Sequence, residues 1–258
     1  MLINRERERE RTPMRKILSV FFITLSFIAP SVGYSNTLST DTSDPLYLQP
    51  MSSVLSKTTL TYWDHILRAG QSLSYGFNDR LSVGINIHYQ HDFNGPEDGF
   101  AATDIGGAYR VSTGRDNASN IISDILFGFK FGGSAAVRTP YYADSTYYAG
   151  LRFGRQWAGM TLSGTIKSSW IFDDERGMAY LDFIPEAYFR IAPDWRFGTG
   201  LTFRVATNQD RLTGEDYDQE WLHFKLIRQF GRTQYSGHFD YEFESDDIQI
   251  GAQINILF

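Results

Sequence analysis

The side chains that could do chemistry in this chain are five histidines, two acidic clusters and a set of regularly spaced bases. His65, His88, His91, His223 and His238 are the candidates for a general base. There is no G-x-S-x-G elbow, and no serine stands at a spacing that ties it to one of these histidines, which leaves only a triad assembled in space. Asp173-Asp174-Glu175 and Glu244-Ser245-Asp246-Asp247 could attract calcium or magnesium. Neither has the glycine-anchored ligand spacing of a calcium loop, so both read as solvated loop tips. No catalytic residue, metal ligand or cofactor is assigned. The bases are more suggestive. Arg152, Lys167, Arg190, Arg196, Arg204 and Lys225 fall on one face of consecutive period-two segments, with Asp182 and Glu186 in the same region. Asp124, Asp240 and Glu242 are expected elsewhere. Lined up along a wetted wall, such bases would favour anions; across a closed interior they would pair with acids and conduct nothing.

The elements that must position them are strands. Leu81, Val83, Ile85, Ile87, Tyr89 and Phe93 alternate with Ser82, Gly84, Asn86, His88 and Gln90. A helix would scatter those apolar residues around its whole circumference, whereas a strand puts them on one face. The same period returns to the end of the chain. Ile125, Phe127, Phe129 and Phe131 alternate with Asp124, Gly128 and Lys130, and Ile248, Ile250, Ala252, Ile254 and Ile256 with Gln249, Gln253 and Asn255. The segments run to about ten residues, the span of a tilted transmembrane strand. A weaker first hairpin is placed at 54–63 and 68–77. The expected fold is all-β: a transmembrane antiparallel up-and-down barrel of about twelve strands over residues 54–258.

The connections alternate in length. Asn78-Asp79, Ala158-Gly159, Ala192-Pro193-Asp194 and Gly231-Arg232 are short, while 94–100, 132–144 and 207–218 are longer. Tight periplasmic turns and longer outer loops make that pattern, with 113–119 long for its side. Phe77, Trp157, Trp195, Phe230, Tyr235 and Phe258 fall at periplasmic ends, and Phe93, Tyr147, Trp170, Phe172 and Phe243 at outer ends, as two aromatic girdles. Arg155 and Arg228 interrupt the apolar face where their heads can snorkel to headgroups. Pro185 implies a bulge, because a closed barrel has no edge strand. Glycines on the polar face, among them Gly84, Gly106, Gly128, Gly150, Gly154, Gly198 and Gly200, are expected to leave space in the lumen. The soluble alternative is a lipocalin-like or sandwich protein with the apolar face inward.

Export precedes all this. Met14-Arg15-Lys16 is a basic n-region, residues 17–29 are apolar, and Gly33 and Ser35 fit cleavage after Ser35. Residues 1–35 are thus expected to be a signal peptide, with Met14 a second candidate start, and 36–53 a polar periplasmic tail. The chain has no cysteine, so an exported form lacks disulfides, and a ring of strand hydrogen bonds is another source of stability. A net charge of −6 argues against a nucleic-acid partner.

The last strand, with Gln249, Gly251, Ile254, Ile256 and terminal Phe258, resembles the C-terminal signal of bacterial outer-membrane proteins. That resemblance implies the barrel-assembly machinery as partner and the outer membrane, with its lipid, as location. Residues 74–84 (SYGFNDRLSVG), 104–110 (DIGGAYR) and 127–133 (FGFKFGG) resemble strands of the transporter-like outer-membrane family of the phenol-degradation meta-pathway. This second resemblance implies uptake of aromatic compounds. The expected function is a narrow pore for passive uptake of small solutes, aromatic or anionic; the alternatives are a plugged structural or adhesion barrel and, behind both, a lipid-modifying enzyme.

Overall fold

The structure is a computed structural model that describes residues 41–95, 98–114, 120–133, 145–172, 179–207 and 218–258. The expected signal peptide, Asp173-Asp174-Glu175 and most of the longer loops lie outside the described residues.

Alternation dictates the architecture. The strands are β1 (Val54–Trp63), β2 (Ile66–Gly76), β3 (Leu81–Asp92), β4 (Gly99–Phe100), β5 (Thr103–Thr113), β6 (Ile122–Phe131) and β7 (Thr146–Gln156), followed by β8 (Met160–Ile171), β9 (Ala179–Ala192), β10 (Trp195–Thr207), β11 (Gln219–Phe230), β12 (Thr233–Glu242) and β13 (Ile248–Leu257). β4 is a two-residue addition to the end of β3. The twelve long strands form an up-and-down antiparallel ring that closes by pairing β1 with β13. The turns at 77–80, 157–159, 193–194 and 231–232 and the start of β1 and end of β13 share one rim, here called the Val54 rim, while the turn at 64–65 lies at the opposite one. Among the described residues no helix is long and apolar enough to cross a membrane; the strands supply the span instead.

Burial is inverted relative to a soluble sandwich. Ile87, Tyr109, Phe127, Leu151, Leu226 and Ile250 are exposed outward, while Gln90, Asp124, Asp182 and Asn255 are buried inside. An apolar exterior around a polar interior belongs in lipid, which removes the soluble alternative. Aromatic rings cluster near the strand ends: Tyr147 stacks on Trp170 at 4.8 Å and packs against Phe172, and Phe230 meets Tyr235 at the Val54 rim. Arg155 lies over the Trp157 ring, and Arg228 over Trp195 and Phe230. Each guanidinium therefore rests on an aromatic face at the edge of the apolar band.

Two local expectations are corrected. β2 begins at Ile66 rather than Arg68, because Asp64 and His65 both take positive φ (34° and 68°) and close a two-residue hairpin turn. Pro185 makes no bulge. Its strand keeps one register with β8, where it sits opposite Gly164, and the β9–β10 ladder holds the same register on both sides of it. The proline simply drops out of the ladder toward β10. The irregularity in this pair falls instead at Trp195/Arg196, beside the turn.

Candidate functional site

The lumen wall is organised by two acids. Asp124 on β6 sits in register between Arg110 of β5 and Arg152 of β7. Asp182 on β9 sits between Lys167 of β8 and Arg204 of β10. Arg110 Nε donates to Asp124 Oδ1 at 2.7 Å and Arg152 Nε to Oδ2 at 2.9 Å. Arg204 Nε donates to Asp182 Oδ1 at 2.7 Å, and Lys167 Nζ lies 3.1 Å from Oδ2. Both carboxylates have no exposed side-chain surface. A buried charge persists only when paired and hydrogen-bonded, and each of these is held from both neighbouring strands. Asp124 is thus not remote from the basic wall, as the sequence suggested; register places it directly beside Arg152.

The first triple also grips the chain ahead of β1. Arg110 Nη2 donates to the Leu46 carbonyl at 2.6 Å, and Arg152 Nη2 to the Tyr47 carbonyl at 3.2 Å. Across the lumen, Thr42 Oγ1 and Ser43 Oγ donate to Gln234 Oε1 at 2.5 and 2.8 Å, while Asn255 Nδ2 donates to both hydroxyls. Thr161 Oγ1 donates to Asp44 Oδ2 at 2.6 Å, and Arg196 Nε lies 3.3 Å from Asp41 Oδ2. Asp41 and Asp44 carboxylates accept the backbone N–H of Ser43 and Leu46, turning the chain tightly. Leu46 is 1% exposed. From Asp41 onward, the segment read as a tail is a compact plug tied to six strands, toward the Val54 rim. Gly76 is where it leaves: a Cβ there would lie 2.0 Å from the Pro50 carbonyl oxygen. Burial raises the Asp44 carboxyl above the usual range and pushes the Tyr47 hydroxyl up to about 12.

Space left by glycine is largely filled. A Cβ on Gly106 or Gly128 would strike the Tyr148 side chain at 2.0 and 2.3 Å, because that ring lies flat along the wall and its hydroxyl donates to Asp104. Gly251 is covered in the same way by the His238 imidazole. The expectation that these positions widen the lumen is corrected: Gly106, Gly128 and Gly198 seat tyrosine rings, and Gly84, Gly150, Gly154 and Gly200 lie against neighbouring backbone or side chains.

Of the remaining predicted lining residues, Arg190 is exposed at the Val54 rim, in register with Arg196. Lys225 and Glu186 face inward and are partly exposed. Gln249 faces inward, Ile254 and Ile256 face outward, and Phe258 exchanges backbone hydrogen bonds with Val54. Among the histidines, His223 joins Asp240 through Nδ1 and Thr202 through Nε2, each at 2.8 Å. This is a spatial Thr–His–Asp chain that sequence spacing did not reveal. Nothing among its described contacts provides donors for an oxyanion. In the other acidic cluster, Asp246 accepts from Tyr241 and Ser245 donates to Glu242. Among the described residues no group of three His, Cys, Asp or Glu side chains is placed to hold a metal.

Lys57 and the plug residues stand outside the lining expected from sequence, while Arg110, Gln234 and Asn255 follow the polar-face parity without a role being assigned to them. Lys57 was findable, since it shares the inward parity of Leu55 and Thr59 in β1.

No family model matches the chain, and no curated protein matches it. Solved structures do. The COG4313 outer membrane channel from Pseudomonas putida F1 is similar at a TM-score of 0.63 and 7% identity, over 83% of this chain and 98% of that one. The NanC porin is similar at 0.60 and 9% identity (79% and 98%), and the KdgM porin at 0.56 and 11% (78% and 98%). At these identities the likeness establishes the fold, a twelve-stranded barrel of the bacterial outer-membrane type.

Proposed function

We propose that the protein is a narrow outer-membrane pore for passive uptake of small polar or anionic solutes, restricted at one mouth by residues 41–50. The observation that carries this reading is the inner face. It keeps partly exposed charged side chains, Lys57 and Lys225, that no described acid pairs with and that water is left to solvate. The three similar barrels above are named as channels or porins, and one KdgM structure holds a disordered oligogalacturonate. The plug would face the periplasm, with the longer loops outside, and the exterior band would contact outer-membrane lipid. The terminal strand to Phe258 is proposed as the assembly signal read by the barrel-assembly machinery.

Liposome swelling tests the proposal. Vesicles holding refolded protein should swell in small amino acids or organic acids and stay refractory to disaccharides. A second reading, a plugged barrel with a structural role, is favoured by the polar bonding of Asp41–Tyr47 to the wall. It predicts no swelling in any solute.

A further inference from the structure

We propose that Lys57 and Lys225 form an anion subsite in the lumen, built for a small multiply charged oxyanion. The site rests on the pore reading only for its route of access.

The other described bases of this region are committed. Arg110 and Arg152 share Asp124, Lys167 and Arg204 share Asp182, and Arg196 holds Asp41. Among the described residues Lys57 and Lys225 make no ion pair. They lie on the inward faces of β1 and β11, and each keeps part of its surface exposed. The charged neighbours that act on Lys57 are Lys225 and Arg152, both positive. Lys225 feels Glu186, Asp41 and Asp240 at a distance, without contact to any of them. The two lysines stand three strand pairings apart on the inner wall and within electrostatic reach of each other, so their ammonium groups repel, and an anion held between them removes that repulsion while accepting their N–H hydrogen bonds.

The position fits a passing solute. Lys57 pairs in register with Asn255, which pairs with Gln234, the two residues that hold Thr42 and Ser43. Lys225 is level with His238 and Gly251, further from the Val54 rim. An anion entering from the opposite mouth therefore meets Lys225 first and reaches Lys57 at the level of the plug. Two charges rather than one select for divalent oxyanions over chloride. Glu186 is the nearby acid that tempers the site, since it lies within electrostatic reach of Lys225 and Arg152.

The probe is inorganic phosphate. Binding is measured by calorimetry on detergent-folded protein, and block of chloride current in a planar bilayer. K57Q/K225Q should weaken phosphate binding about tenfold or more per lysine, the loss expected from one charge-assisted contact. K57R/K225R should retain it, E186Q should strengthen it, and R190Q at the rim should leave it unchanged. Folding of each variant is checked by its unboiled gel mobility. Phosphate binding that survives K57Q/K225Q in folded protein overturns the subsite whether or not the barrel conducts. Lysine-dependent binding without conductance overturns the pore and leaves the subsite standing.

Discussion

The guanidinium of Arg196 lies 3.3 Å from the carboxylate of Asp41, and neither side chain is more than 15% exposed. That pair ties the chain ahead of the first strand to the tenth, and it makes the plug an element of the wall rather than a tail. A charge-assisted contact of this kind contributes about 1.5–3 kcal/mol. In R196Q, amide exchange across residues 41–50 should accelerate about tenfold or more, with gel mobility of the barrel unchanged. Equal protection in wild type and variant would show that the pair does not hold the segment.

The plug should also respond to acid. Burial raises the Asp44 carboxyl in the docked segment, with Thr161, Leu46 and Gln156 pulling the other way and Asp41 adding to the rise. A docked group with a raised pKa binds more protons than the released one. Its contribution to docking is therefore complete below the free value of 3.8 and is lost as pH rises through the docked value. Acidification into that window should slow exchange across 41–50. Asp44→Asn should remove this component. An identical pH profile in the variant would contradict the assignment.

Asp124 is the acid whose loss should cost most. Asp124→Asn leaves Arg110 and Arg152 facing each other without a counter-charge, with Arg110 only 2% exposed. Removing one partner of a buried pair typically costs about 3–5 kcal/mol. Urea unfolding from vesicles should show a loss of that order, accompanied by loosening at Leu46 and Tyr47. A midpoint within error of wild type would mean that water already solvates the triple.

Phe258 stands at the seam where the ring closes, bonded to Val54. Deleting it should lower membrane insertion at native expression and leave chain in the periplasm, because the proposed assembly signal and the last seam contact go together. Unchanged membrane levels would remove the terminal residue from any such signal.

The strands were legible because a period of two with one apolar face has a single reading over ten residues, as at Leu81–Asp92. The face of each charged residue followed from the same parity. Pairing did not, because it depends on register: Asp124 and Arg152 are 28 residues apart in sequence and adjacent in the sheet. The turn at Asp64-His65 was hidden because neither residue carries the glycine signal of a left-handed hairpin. The plug was invisible for a different reason. It is held by hydroxyl, amide and carboxylate bonds rather than by a periodic apolar stripe, so its proline-punctuated sequence looks the same docked or free.

Single-channel recording on two folded proteins, residues 36–258 and residues 51–258, tests the account most directly. Both should show the same heat shift on a gel. The longer protein should give small discrete steps with an anion-selective reversal potential in a salt gradient, and the shorter one steps several-fold larger. Silence from both, or identical conductance with and without residues 36–50, would contradict a pore narrowed by its own N-terminal segment.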